Sequence, residues 1–94
     1  MGLQFEWDER KATANLAKHR ISFGEAATAF GDPLSLTIDD PTHSGVEDRL
    51  VLIGETDRRR LVVVVHVERG DSIRIISARQ ATNRERREYE QDDE

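Results

Sequence analysis

The segment LVVVVHVERGDSIRIISAR, residues 61–79, is the most informative part of the sequence for the fold. It contains two apolar runs rich in β-branched residues, joined by the short polar connection RGDS. Two such runs around a short glycine-containing turn are typical of an antiparallel β-hairpin. Valine occupies both faces of the first run, which predicts that its first half is covered on both sides. We therefore predict two antiparallel strands, at about 61–68 and 73–79.

Patterns on either side of this hairpin extend the sheet and add helices. Alternation of apolar and polar residues predicts further strands at 3–7, 34–38 and about 48–55. Three other segments follow helix-start signals, either an N-cap residue or a Ser/Thr-x-x-Glu capping box. These signals are Asp8 before a helix at about 9–19, Ser22 and Glu25 at a second, short helix, and Thr82 and Glu85 before a helix at about 83–91. The order β-α-α-β-β-β-β-α predicts an α+β domain, with helices packed on one antiparallel sheet.

The first predicted helix has a polar and an apolar side. Lys11, Asn15 and Lys18 lie at i, i+4 and i+7 and are expected to share a polar face, whereas Ala12 and Leu16 are expected to face inward. Lys18 and His19, at the end of the helix, have two interpretations. They could contact a phosphate, or they could complement the negative end of the helix dipole, which the pattern alone favours.

Composition bounds the class of protein. With 94 residues, of which 36% are hydrophobic and 35% charged, the chain is expected to form a single domain over 1–94, in which about 90–94 form a frayed acidic tail. The net charge of -5 argues against whole-molecule attraction to nucleic acid, so polyanion binding would need a local arginine cluster. The chain has no apolar run of about 20 residues that could span a membrane. It also lacks a signal-peptide pattern, so we expect a cytoplasmic protein.

No metal or other cofactor is predicted. The absence of cysteine excludes thiolate zinc sites. His43 lies in a polar loop with Asp39 and Asp40, which would allow a weak metal site. A solvated loop is the favoured interpretation, because no second histidine is near and the spacing does not match that of known zinc ligands.

Positive charge is concentrated near the C-terminus, where six of the fourteen Lys and Arg residues lie from Arg69 to Arg87. Either this segment is an ordinary salt-bridged helix or it presents arginines to phosphates. Arg84 lies four residues before Glu88, so some arginines have helical partners, whereas Arg86 and Arg87 are less clearly matched. A salt-bridged helix with one face turned to a partner is favoured.

A group of polar residues is predicted on one side of the sheet if both hairpins have the simplest turns. A turn at Gly70-Asp71 would pair His66 with Ile75 and Val62 with Arg79, and a turn at Arg58-Arg59 would pair His66 with Val51 and Glu68 with Arg49. Paired residues share a face, and a change of one residue in either turn reverses the assignment. The residues predicted to line this side are Arg49, His66, Glu68, Ser77 and Arg79.

An imidazole with arginines nearby is what RNA cleavage without a metal requires. A base removes the proton of a ribose 2′-OH, an acid protonates the departing 5′-oxygen, and arginines stabilise the charged phosphorane. Histidine can serve as acid or base because it titrates near neutral pH. The alternative, favoured by pattern alone, is structural: Arg49 and Glu68 form a cross-strand ion pair, and His66 is a half-buried histidine bonded to a neighbour.

Two motifs resemble those of a known family. They are W-D-x-x-K-x-x-x-N-x-x-K-H-x-[IV]-S-F-x-E-A, beginning at Trp7, and R-I-I-S-A-R-x-A-T-x-x-E-R-x-x-Y, ending at Tyr89. Both occur in order, and the similarity extends from Phe5 to about Tyr89, so the chain resembles the BrnT toxins of bacterial type II toxin–antitoxin systems. One departure is Arg20, where the family commonly has glycine. We expect a local adjustment there, because a left-handed turn suits glycine better.

The resemblance implies a fold related to the RelE ribonucleases and a metal-independent endoribonuclease that inhibits translation. It implies neutralisation by a BrnA-type antitoxin with a ribbon-helix-helix DNA-binding domain, in a complex with two copies of each chain that represses its own operon. DNA contact would then belong to the antitoxin, and the ribosome is a further candidate partner. The predicted catalytic residues are His66 as general acid or base and Arg49 and Arg79 as phosphate clamps. The predicted RNA-binding residues are Lys11, Lys18, His19 and Tyr89.

Two rival functions remain open at this point. One is a non-catalytic binding module that keeps the toxin fold only to pair with an antitoxin and tune repression. The other is a nuclease that acts only on the ribosome and is inert on free RNA. Cleavage assays on free RNA and on ribosomes separate these possibilities.

Overall fold

The structure is a computed structural model that describes residues 3–40 and 48–91. The interpretations of His43 and of the last three residues of the acidic tail lie outside the described residues. The predicted order of elements is confirmed. The strands are β1 (Gln4–Glu6), β2 (Leu36–Asp39), β3 (Leu50–Glu55), β4 (Leu61–Arg69) and β5 (Ser72–Gln80). The helices are α1 (Glu9–His19), α2 (Phe23–Thr28), which continues into a 3-10 turn at Ala29–Gly31, and α3 (Asn83–Gln91).

The five strands form one sheet in the order β1-β5-β4-β3-β2. β2 pairs antiparallel with β3, β3 with β4 and β4 with β5, as predicted. β1 pairs in parallel with the beginning of β5, from Gln4 opposite Ser72 to Glu6 opposite Arg74. The sheet is therefore mixed, not wholly antiparallel as predicted. Alternation along a segment identifies a strand, but it carries no information about which distant strand becomes its neighbour.

The main core lies between one face of the sheet and helices α1 and α2. The sheet contributes alternate residues of β4 such as Val62 and Val64, which are 0% exposed. The helical layer contributes Ile21 and Phe23, and the ring of Trp7 packs edge-on against Phe23 with 5.9 Å between centroids. Val63, between the two core valines, faces the other side, where α3 lies, so β4 is covered on both faces as its valines predicted.

α3 covers only one end of the second face. A small cluster forms there from Ile53, Leu61 and Val63, with Ala81 and Tyr89 packed against it. No described residue of α3 is fully buried. We call this side of the sheet the α3 side, and the face under α1 and α2 the α1 side. No helix among the described ranges is long and apolar enough to cross a membrane.

The predicted helix starts are found at all three helices. The Asp8 carboxylate accepts hydrogen bonds from the backbone N–H groups of Arg10 and Lys11 at the start of α1. The Thr82 hydroxyl and the Glu85 carboxylate each accept from the other residue's backbone N–H, a complete capping box. At α2 the Ser22 hydroxyl accepts from the N–H three residues later.

The side chain of that third residue, Glu25, does not turn back to close a capping box. It is buried, and it accepts hydrogen bonds from the Thr56 hydroxyl at 2.8 Å and from Arg60. The hydrogen bond from Arg60 lowers the pKa of Glu25, against the burial that raises it. Arg60 also donates to the carbonyl of Arg20. This network fastens the β3–β4 connection to α2, which gives the glutamate of the first motif a structural role.

The orientation predicted for α1 is wrong at Asn15 and Leu16. Asn15 is only 7% exposed and faces the sheet, whereas Leu16 is 48% exposed. The Asn15 amide donates to the carbonyls of Ile21 and Ala78, and its oxygen accepts from the Ala78 N–H at 3.1 Å. Because β1 pairs with β5 only as far as Arg74, the amide supplies Ala78 with the two hydrogen bonds that a neighbouring strand would make.

Candidate functional site

The second half of β5 presents its residues on the opposite side from the prediction. His66 pairs with Ile75 as predicted, but Val65, the residue before His66 in β4, pairs with Ser77 and not with Ile76. Ile76 is therefore an extra residue, a β-bulge, and it reverses the alternation beyond it. Arg79 pairs with Val63 and shares the α3 side with it, so the predicted pairing of Arg79 with Val62 is wrong.

The length of the β3–β4 connection also changes the residue that lies opposite Arg49 from the one predicted. Glu55 pairs with Leu61, so the connection is five residues long and not a two-residue turn. Within it Arg59 adopts a left-handed conformation with φ 64°, the arrangement of a three-residue hairpin loop that ends in a bulge. His66 consequently pairs with Leu50 and not with Val51, so Arg49 does not lie opposite Glu68. Arg49 directly precedes β3, where strand alternation places it on the α3 side.

His66 lies on the α1 side and is completely buried. Its ring meets the Phe30 ring edge-on, with 4.8 Å between centroids, and its Nδ1 lies 3.2 Å from the Val64 carbonyl oxygen. Its Nε2 has no hydrogen-bond partner among the described residues and lies 3.5 Å from the half-exposed Glu68 carboxylate. The predicted common face is therefore wrong, because His66 and Glu68 lie on one side of the sheet and Ser77 and Arg79 on the other.

Arg79 is held in place by Glu85. Its Nη1 and Nη2 each donate to one Glu85 oxygen at 2.8 Å, and Nη1 also donates to the Gln80 carbonyl. The hydrogen bonds from Arg79 are the main reason why the pKa of Glu85 falls to about 2, despite burial that acts in the opposite direction. The guanidinium side chain remains 42% exposed. Its Nε–H and the neighbouring Nη2–H have no partner among the described residues, so one two-donor fork is available.

A cavity of about 330 Å³ opens beside this guanidinium on the α3 side. α3 leaves this part of the sheet uncovered, and the floor is apolar. Its lining residues are Ile38, Asp40, Val51, Val63, Val65, Arg79 and Glu85. An exposed arginine fork at the rim of an apolar cavity can bind a phosphate while the floor contacts a nucleobase or an apolar side chain.

The predicted RNA-binding residues fall in two places. Lys11, Lys18 and His19 are brought together in a groove of about 250 Å³ between α1 and β5. Tyr89 lies elsewhere, on α3, where its ring packs in the second cluster and its hydroxyl donates to Asp32 at 2.7 Å. Burial raises the pKa of Asp32, but hydrogen bonds from Glu55 N–H, Tyr89 and Leu34 N–H outweigh it, so the pKa is lowered.

Some of the C-terminal arginines have acidic partners, one of them on α3 and others on the strands. Arg74 lies 3.6 Å from Glu6, and Arg84 lies 3.7 Å from Glu88 one helical turn later. Sequence reasoning missed Glu85 as the residue that orients Arg79, although it had identified Glu85 as part of a capping box. The available signal was an arginine that ends a strand only six residues before the glutamate of a helix start.

No cluster of three or more metal-ligating side chains occurs in residues 3–40 and 48–91.

Comparison with known proteins identifies the chain. A family model described as "Ribonuclease toxin, BrnT, of type II toxin-antitoxin system" matches residues 7–85. The crystal structure of the Brucella abortus ribonuclease toxin BrnT is similar, with a TM-score of 0.63 and 27% sequence identity over 86% of this chain and 99% of that chain. No curated protein gives a significant match. The chain belongs to the BrnT family of ribonuclease toxins of type II toxin–antitoxin systems.

Proposed function

We propose that this chain is a metal-independent endoribonuclease toxin whose substrate binds on the α3 side of the sheet. The observation that carries the proposal is the Arg79 guanidinium, which Glu85 fixes in orientation while one fork of N–H donors remains available. A fork of this kind matches two oxygens of a phosphodiester. A family description as a ribonuclease toxin supports the reaction class.

In this mechanism the ribose 2′-OH loses its proton to a base and its oxygen bonds to the adjacent phosphorus. The bond from phosphorus to the 5′-oxygen breaks, that oxygen takes up a proton, and a 2′,3′-cyclic phosphate remains. Arg79 would bind the phosphate and stabilise the negative charge that builds up on it, and Arg49 would add a second cation from the same side. The apolar floor of the cavity, with Val51 and Val65, would contact the base next to the scissile bond. Binding and charge stabilisation thus come from residues on one side of the sheet.

His66 can act as the general acid or base only if its ring leaves its place beneath Phe30. A side chain with no exposed surface cannot exchange a proton with a ribose hydroxyl. A catalytic role of His66 can therefore be tested by substitution of this residue. Replacement of His66 by glutamine, in a variant that remains folded, abolishes cleavage if the ring moves out, and leaves cleavage intact if it stays in the core.

A type II toxin is paired with an antitoxin, and we propose a BrnA-type partner with a ribbon-helix-helix domain. The complex would contain two copies of each chain, act in the cytoplasm and repress its own operon. The net charge of -5 supports a division of labour in which the antitoxin contacts DNA and this chain does not. We further propose kinship with the RelE fold.

The alternative is a toxin-like binding module without catalysis. Two observations favour it: Arg79 is already ion-paired, and the described part of the α3 side contains no histidine. An ion pair lowers the field that Arg79 can apply to a phosphate. The two proposals differ in whether purified, folded protein cleaves RNA.

The test combines expression in bacteria with cleavage by purified protein in EDTA. Wild type and the variants Arg79→Ala, His66→Gln and Arg86→Gln are compared, with and without the partner antitoxin, on free RNA and on translating ribosomes. The proposal expects growth arrest and metal-free cleavage by wild type and by Arg86→Gln, and at least a hundredfold loss, roughly 3 kcal/mol of transition-state stabilisation, for Arg79→Ala. Cleavage only on ribosomes would identify a ribosome-dependent nuclease, and no cleavage in any setting would leave the binding module.

A further inference from the structure

We propose that the groove between α1 and the outer edge of β5 binds the sugar-phosphate backbone of a single-stranded RNA substrate and leads it to Arg79. This inference rests on the proposed ribonuclease function and adds a second contact region to it. The region lies along the edge of the sheet, next to the α3 side. The groove is lined by Lys11, Ala14, Asn15, Lys18, His19, Ile76 and Ser77.

Asn15 determines where the two lysines lie. Its amide is hydrogen-bonded to Ala78 in both directions, which fixes the face that α1 turns to β5. Lys11 and Lys18 lie one turn before and one turn after Asn15 on that same face, separated by roughly 10 Å along the helix axis. Both side chains are exposed, so their ammonium groups flank the groove without being buried. Two exposed cations at this separation can contact successive phosphates of one strand.

The charge of the groove is opposite to that of the molecule. The chain carries a net charge of -5, yet the lining of this groove includes two lysines and a histidine and no acidic residue. A local positive surface on an acidic protein attracts a polyanion to one place and disfavours binding elsewhere. Lysine suits this task, because a mobile point charge follows a phosphate chain without fixing its sequence.

The helix dipole explains only part of this arrangement. Lys18 and His19 lie in the last turn of α1, where a cation is favourable. Lys11 lies in the first turn, where the dipole disfavours a cation. A ligand in the groove accounts for all three residues, whereas the dipole accounts for two.

Ser77 connects the groove to the site. It lines the groove, and it pairs with Val65 on the same side of the sheet on which Arg79 pairs with Val63. Residues two apart in a strand lie about 7 Å from each other on one face. The bulge at Ile76 is responsible, since the same sequence in a regular strand without a bulge would place Ser77 and Arg79 on the α1 side together with Ile75. A strand that enters along α1 therefore reaches Arg79 across Ser77.

The test measures binding separately from cleavage. A short mixed-sequence single-stranded RNA with 2′-O-methyl groups throughout has no 2′-OH to react, so its fluorescence anisotropy reports affinity alone. The variant Lys11→Gln/Lys18→Gln is compared with Arg86→Gln/Arg87→Gln, which removes two exposed positive charges from α3 and leaves the same net charge. Folding of each variant is checked by the fluorescence of Trp7.

The proposal expects Lys11→Gln/Lys18→Gln to weaken binding about tenfold and to reduce the slope of log affinity against log salt by about 1.4, from roughly 0.7 per phosphate contact. The α3 control and the charge-preserving variant Lys11→Arg/Lys18→Arg should stay close to wild type. On cleavable RNA, the loss should lie in KM, while kcat at saturating RNA is retained.

Two results would contradict RNA binding in the groove and leave the proposed ribonuclease function intact. One is an equal loss of RNA affinity in Lys11→Gln/Lys18→Gln and in Arg86→Gln/Arg87→Gln, which would mean that the net charge of the protein determines binding. The other is unchanged affinity of Lys11→Gln/Lys18→Gln in a wild-type background that binds and cleaves. Failure of wild type to bind or cleave any RNA would instead remove the ribonuclease function, and the groove proposal with it.

Discussion

Replacement of Asn15 by alanine tests the fold and the position of α1 at once. The side chain makes three hydrogen bonds in the interior, at 3.0, 2.8 and 3.1 Å, and the alanine variant leaves the carbonyl of Ile21 and both backbone groups of Ala78 without partners. With about 1 kcal/mol for each buried hydrogen bond, the free energy of unfolding should fall by about 3 kcal/mol. For a domain of this size, that is a loss of roughly 12–24 °C in Tm.

The assay is equilibrium urea unfolding followed by Trp7, the one tryptophan of the chain, whose ring packs against Phe23. The matched control is Thr13→Ala on the same helix, where an exposed hydroxyl bonds only to the Glu9 carbonyl. Its effect should stay within about 0.5 kcal/mol. If Asn15→Ala differs from Thr13→Ala by less than about 1 kcal/mol, Asn15 lies on the solvated polar face that the helical pattern predicted, and the docking of α1 on β5 is refuted.

Three further predictions concern single side chains. Arg20 adopts φ 62°, so Arg20→Gly should raise the free energy of unfolding by up to about 1 kcal/mol, while Arg20→Ala, which keeps a Cβ in the left-handed region, gives no gain in the same urea titration. Because the pKa of Glu85 is lowered to about 2, the stability from its pair with Arg79 is present above pH 4.5 and lost as the pH falls towards 2. The free energy of unfolding should therefore change less over this pH range in Glu85→Gln than in wild type. The same pH dependence in both proteins would contradict the pairing. Tyr89→Phe removes the hydroxyl that donates to Asp32 and should cost about 1–2 kcal/mol in thermal unfolding, so a neutral effect would mean that the ring alone anchors α3.

Local patterns predicted the elements well because each depends on residues close together in the chain. The alternation of the strands and the capping residues Asp8 and Thr82 are such patterns, and α1 begins and ends where they predicted. The left-handed turn after α1 was also located correctly. The local adjustment expected there is not observed, because Arg20 itself takes the left-handed conformation and keeps the backbone hydrogen bond to Leu16.

The side of the sheet on which each site residue lies depends on residues that pattern does not reveal. One extra residue at Ile76 was enough to separate Arg79 from His66, and a longer loop around Arg59 was enough to separate Arg49 from Glu68. Asn15 was misassigned for a related reason. A helical period identifies polar residues, but only the incomplete pairing of β1 with β5 creates the backbone groups that this amide satisfies.

The bulge at Ile76 has a consequence for alignments of this strand with those of relatives. Loss of Ile76 would restore regular pairing after Ile75, and Ser77 and Arg79 would keep their partners on β4 and their sides of the sheet. Loss of Ala78 would instead move the serine into a position that is now 0% exposed. The strand thus tolerates a shorter length within the bulge, where the extra residue has no partner on β4. A gap in this stretch belongs at Ile76, and an arginine three residues after the equivalent of Ile75 in such a relative corresponds to Arg79 here.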